Sequence, residues 1–175
     1  MKSYKDNFPK DLESDELTKY IYEGFDVMRK FRGEFMEKTL QLDLMLDEII
    51  SCYFSKERMK NEKFRKLILN PINITIHSKI SILKKLELCT DEKYKDFIKR
   101  FCWFIESRNY FAHVPRDSYH PEFEFLWKGK KITKELNDSF FKELNEEVQY
   151  LAMKLTWIRH ESNLYYSSLK SNNNK

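Results

Sequence analysis

From Leu17 to Tyr53, the apolar residues Leu17, Ile21, Met28, Phe31, Phe35, Leu42, Leu46, Ile49 and Tyr53 recur at steps of three, four or seven. An α-helix returns to the same face every 3.6 residues, so this stripe specifies one very long amphipathic helix. Ser14, Asp15 and Glu16 supply its capping side chain and first-turn acids, and Gly24 and Gly33 are the places where it would bend. A helix of that length spans a bundle or reaches into a partner.

The remaining periodic segments are arranged around it. Residues 56–69, "KERMKNEKFRKLIL", fit a second helix closed by Asn70 and Pro71. In residues 74–88, "ITIHSKISILKKLEL", β-branched residues make the start ambiguous between helix and strand. Length favours helix, with Ile76, Ile80, Leu83 and either Leu86 or Leu88 facing the core. The helix of 89–114 opens on a Thr90 or Asp91 cap and ends where Pro115 disfavours helical Val114.

"EFEFLWKGKKITKEL" alternates about Lys128-Gly129, which predicts a β-hairpin over about 123–133. A last helix over about 137–160 carries Phe141, Leu144, Val148, Leu151, Leu155 and Ile158. Only three Gly and four Pro interrupt 175 residues, and no linker divides them. The expected architecture is all-α: an up-and-down bundle of four to five helices, with a small β-hairpin before the last one. Residues 14–165 form the single domain, 1–13 a flexible lead-in and 166–175 a disordered polar tail.

Charge and cysteine usage exclude several classes. Thirty-two basic and 28 acidic residues are interspersed, leaving a net +4 that permits an anionic partner without requiring one. Cys52, Cys89 and Cys102 form no CxxC pair, so neither a secreted disulfide framework nor paired zinc spacing is present. Cys102, His113 and His120 also lack such spacing, and neither a metal nor a cofactor is expected. The N-terminal "MKSYKDNFPKDLESDE" has no signal-type apolar core, and no apolar run approaches the ~20 residues of a membrane span. The expectation is a soluble, reduced, cytoplasmic protein.

One stretch breaks the pattern: "FIESRNYFAHVPRD", residues 104–117. On a helical wheel Phe97, Phe101, Phe104, Ile105, Phe111 and Ala112 fall within about 60° of Arg108, at the centre of the apolar face. An arginine does not shed its charge, so burying it alone costs several kcal/mol. Three arrangements relieve that cost. It pairs with a carboxylate from a neighbouring helix, Asp43, Asp47 or Glu48; it snorkels out at the bundle edge; or it lines a cleft or subunit boundary that receives an anion.

His113 lies in the last turn, where fraying would let the ring turn toward Arg108, and imidazole exchanges protons near neutral pH. Asn109 and Glu106 share its stripe at helical spacings and are candidates to orient it. Arginine, histidine and an amide together suffice to handle a phosphodiester: one neutralises charge, one moves protons and one positions. The competing structural reading is an ion pair and a helix-end cap.

Arg108, Asn109, three residues and His113 resemble the R-x4-6-H signature of the HEPN superfamily, often R-N-x-x-x-H. The setting is similar too: the motif ends a late helix of a bundle that opens on a long amphipathic helix. The resemblance implies a homodimer that brings two motif helices together in one composite cleft. It implies metal-independent endoribonuclease activity, in which the 2′-OH attacks phosphorus and leaves 2′,3′-cyclic phosphate and 5′-OH ends. His113 would then be general base or acid, and Arg108 would stabilise the phosphorane. Asn109 would position substrate or His113, while Glu106 is a helix-spacing candidate beside them.

Such proteins commonly act as toxins or antiphage effectors, with an antitoxin or defence partner. Pro115 stands where the nucleotidyltransferase-paired toxins carry the tyrosine that is adenylylated, so that control is not expected here. The alternative within the family is a catalytically inactive module that binds a nucleotide, RNA or a partner protein. Outside it stands an ordinary helical interaction protein. Tyr110 is the best candidate to stack on an RNA base, ahead of Trp127 and Trp103. His77 and His160 read as surface or hydrogen-bonded histidines, and the basic runs "KERMKNEKFRK" and "WKGKK" as solvated faces.

Overall fold

The computed structural model describes residues 13–54, 57–86, 92–113 and 122–172. The expected lead-in up to residue 12, Cys89, the Thr90 and Asp91 cap, Val114, Pro115, His120 and the last three residues lie outside them. Five α-helices are described: α1 (Ser14–Phe54), α2 (Arg58–Leu67), α3 (Ile76–Lys85), α4 (Lys95–His113) and α5 (Asp138–Asn172). A 3-10 turn at Glu92–Tyr94 leads into α4. Strands β1 (Glu122–Trp127) and β2 (Lys130–Glu135) pair antiparallel from Glu122↔Glu135 to Trp127↔Lys130. The molecule is an all-α bundle with one hairpin before the last helix.

α1 has 41 residues, about 60 Å of helix, and packs against each of the other four. Met28, Phe31, Phe35, Leu42, Leu46 and Ile49 are buried, as their spacing requires, while Leu17, Ile21 and Tyr53 are half-buried. Phe35 is the meeting point of the core. Its ring lies 4.8 Å from Phe111 and 5.7 Å from Phe104 of α4, 6.3 Å from Trp127 of the hairpin and 6.5 Å from Phe140 of α5. One side chain thus ties four elements together.

The hairpin turn sits at Lys128 (φ 51°) and Gly129 (φ 75°), both left-handed as a two-residue hairpin turn demands. A Cβ on Gly129 would overlap the indole of Trp103, so glycine is required for space as well as for backbone. Glu147 of α5, 2% exposed, fixes the same corner. It accepts two hydrogen bonds from Arg100 of α4, at 2.8 and 2.7 Å, and pairs with Lys128 at 3.3 Å. This carboxylate joins α4, α5 and the turn, and the bonds Arg100 donates to it raise the pKa of Arg100.

Some boundaries differ from the sequence expectation. Thr75 caps α3: its Oγ1 accepts from the Ser78 amide at 3.2 Å, so the β-branched start resolves as a helix beginning at Ile76. α5 runs past residue 160 to Asn172, so the backbone of 166–172, expected as tail, is helical. No described helix is long and apolar enough to cross a membrane.

Candidate functional site

Arg108 lies on the α4 face that buries Phe97, Phe101, Phe104, Ile105 and Phe111, and is itself half-buried. Carboxylate pairing, one of the three arrangements that would stabilise it there, is not what the structure shows. Asp43 and Asp47 instead hold Lys79 of α3, whose ammonium is fully buried and lies 2.9 and 2.7 Å from them. Glu48 pairs with Arg159 of α5 at 2.7 Å. Among the described residues Arg108 has no acidic partner. Its Nη1 donates to Asn109 Oδ1 at 2.9 Å, and its buried Nε has no hydrogen-bond partner.

The guanidinium opens instead onto a cleft of about 770 Å³, within the range of about 300–1,000 Å³ usual for small-molecule sites. Met36, Glu37, Leu40 and Asp43 of α1 form one wall. Pro71, Thr75, Ile76 and His77 form a second, and Arg108 with Asn109 the third. Local sequence fixes the middle wall. Asn70 Oδ1 accepts from the amides of Ile72 and Asn73, at 2.9 and 3.1 Å, and Asn73 Nδ2 donates to Leu67 O at 2.7 Å. These bonds turn the chain between α2 and α3 and set the first turn of α3 opposite Arg108.

The cleft is apolar along Met36, Leu40 and Ile76 and polar at its edges, with Met36 and Leu40 themselves exposed. An apolar wall with a few convergent polar groups suits a ligand that has both a flat apolar part and a charged part. Asp43 shares the single Lys79 ammonium with Asp47, so Lys79 does not cancel both carboxylates. Among the lining residues Arg108 is the cation, facing Glu37 and the partly neutralised Asp43.

The other sequence candidates are placed differently. α4 remains α-helical through His113, so this residue stands about 140° around the helix from Arg108. It is exposed and does not line the cleft, and fraying does not bring it to Arg108 as the sequence suggested. Glu106 is exposed in a separate recess with Lys84, Lys95, Lys99, Cys102 and Trp103. There Lys84 Nζ lies 3.9 Å from Cys102 Sγ. Tyr110 is 37% exposed, with its ring edge-on to Phe111, and lies about 160° from Arg108. Trp127 is buried and closed to a stacking base.

Two further residues at or beside the site carried no functional signal in the sequence. His77, taken as a surface histidine, reaches the cleft because the turn before α3 puts it there. Arg32 of α1 donates from Nε to Phe111 O at 3.0 Å, satisfying one of the carbonyls left open in the last turn of α4. It fastens the end of the motif helix to α1. No spacing signal marks either residue. Among the described residues no three His, Cys, Asp or Glu side chains gather as a metal-binding group.

Compared with known proteins, the chain matches no family model, no curated protein and no solved structure.

Proposed function

We propose that the protein is a metal-independent endoribonuclease of HEPN type, acting in the cytoplasm within a toxin or antiphage module. The observation that carries this reading is Arg108. It is a permanent cation on a buried helix face, ion-paired to no carboxylate among the described residues, with an unbonded Nε and a cleft beside it. Such a group is stabilised by an anion, and a phosphodiester presents the planar pair of oxygens that guanidinium binds best. Asn109 holds Nη1 and thereby fixes the plane of the fork. The Met36 and Leu40 wall offers a base or ribose an apolar surface.

On this reading Arg108 binds the scissile phosphate and stabilises the charge that builds on it as the 2′-OH attacks. His113 reaches such a phosphate from a second copy of the chain, in a homodimer that sets two motif helices face to face. An antitoxin or a defence-system protein is the further partner this class of activity calls for. Purified protein is expected to cleave RNA in EDTA and leave 2′,3′-cyclic phosphate and 5′-OH ends. Intact RNA at every protein concentration, under conditions where the chain is folded, would remove the assignment.

A second reading is favoured by one specific observation, the separation of His113 from the Arg108 cleft within one chain. It makes the protein a non-catalytic module that binds a nucleotide or RNA at Arg108. Tight binding of RNA without new ends would select it.

A further inference from the structure

The Arg108 cleft carries two proton-moving groups from its own chain that the motif does not contain. Glu37 projects from α1 and His77 from the first turn of α3, and both line the cavity that Arg108 and Asn109 close from the side of α4. Both are exposed, and neither is held by an ion pair among the described residues. Among the described residues the Glu37 carboxylate accepts a 3.4 Å hydrogen bond from Gln41 Nε2, one turn along the same helix. A carboxylate inside a cleft that binds phosphate works against that binding. A role in taking up the 2′-OH proton gives it a function there.

We propose, resting on the ribonuclease reading, that Glu37 and His77, in place of His113 from a second copy, are the general base and general acid of this cleft, so that one chain supplies both proton transfers of RNA transesterification. The Glu37 carboxylate removes the proton from the ribose 2′-OH, and the 2′-oxygen forms a bond to the adjacent phosphorus. Arg108 holds the phosphoryl oxygens, with its own fork fixed by Asn109. The bond from phosphorus to the 5′-oxygen breaks, and the His77 imidazolium donates its proton to that leaving oxygen. The products are a 2′,3′-cyclic phosphate and a 5′-OH. Glu37 is left protonated and His77 neutral, and exchange with water restores both. No other reactant is required.

The test is single-turnover cleavage of an RNA oligonucleotide in EDTA by the full-length chain and by Glu37→Gln, His77→Gln and His113→Ala. Affinity for the same sequence carrying 2′-deoxyribose, which is not cleavable, is measured in parallel. Proton transfer by a positioned side chain contributes about 10²–10⁴-fold, so Glu37→Gln and His77→Gln are each expected to lose about 100-fold or more in rate. Deoxy-oligonucleotide affinity should fall by no more than about threefold in either, because the phosphate contact at Arg108 is retained, and Glu37→Gln should bind at least as tightly as the wild type. Glu37→Gln should abolish the fall in rate toward acid pH, and His77→Gln the fall toward alkaline pH.

Full rates in both glutamine variants with a dead His113→Ala would overturn the assignment of Glu37 and His77 while leaving the ribonuclease reading intact. Wild-type protein that binds the deoxy-oligonucleotide yet never cleaves RNA would overturn both. Equal loss of affinity and rate in the glutamine variants would reduce the two residues to binding contacts, and that too would overturn the proposal.

Discussion

Arg108 donates one hydrogen bond to its own neighbour, Nη1 to Asn109 Oδ1 at 2.9 Å, while its buried Nε has no partner. The amide orients the guanidinium without neutralising it, and the charge stays available to the cleft. Asn109→Asp replaces that amide with a carboxylate of the same shape and supplies an internal counter-ion. The variant should fold normally and bind RNA at least about tenfold more weakly, since an Arg–carboxylate pair competes directly with phosphate. Filter binding at fixed salt measures this, and unchanged affinity would show that Arg108 does not contact the ligand.

Lys79 predicts the largest stability loss. Its ammonium is fully buried between Asp43 and Asp47 and joins α3 to α1. Lys79→Met keeps the stem but leaves two carboxylates close together without a cation. Breaking a buried pair by removing one partner costs about 3–5 kcal/mol. Urea denaturation should show a loss of that size, and a loss under about 1 kcal/mol would mean the triad is not closed to water.

The same cluster gives a pH dependence of definite sign. Burial, with Asp43 adding to it, raises the Asp47 carboxyl above its ordinary 3.8 despite the opposing pull of Lys79. In the folded protein the group therefore binds a proton at pH values where the unfolded chain has released it. Its contribution favours the folded state at low pH and declines as pH rises from the unfolded value through the raised folded one. As pH rises above the ordinary carboxylate value of 3.8, the stability of Asp47→Asn should gain on that of the wild type. Drift in the other direction, read from denaturation midpoints, would contradict the raised value.

Gly129→Ala combines left-handed backbone (φ 75°) with a Cβ placed into the Trp103 indole. Strain of this kind costs of order 1–3 kcal/mol. The hairpin should move off α4, lowering the thermal midpoint and changing tryptophan emission. A midpoint within about 1 °C of the wild type would show that the turn does not press on Trp103.

Elements whose pattern repeats were legible in the sequence. α1 shows the same face over many turns, so Met28 to Ile49 could be placed in the core before any coordinates. The hairpin was marked by Lys128-Gly129 between alternating residues. What escaped depends on partners distant in sequence. In the sequence Asp43 and Asp47 stand out only as possible partners for Arg108, and nothing marks Lys79, one residue before the core residue Ile80, as the cation they hold. Only the packing of α3 on α1 assigns the acids to Lys79 and leaves Arg108 without them.

The site divides in the same way. The position of Arg108 on the apolar face followed from helical angles alone, and so did the 140° or so that separates it from His113. Fraying was expected to close that gap, and the regular helix through His113 leaves it open. His77 entered the cleft through a turn set by Asn70 and Asn73, a local geometry that residue spacing does not encode.

The most direct measurement compares wild type with Arg108→Ala for cleavage of total RNA in EDTA, with end-group analysis and circular dichroism on both. New 2′,3′-cyclic phosphate and 5′-OH ends are expected from the wild type, with a loss of about 100-fold or more in a variant of unchanged helicity, as a phosphate-stabilising role for Arg108 requires. Equal cleavage by both proteins would contradict it.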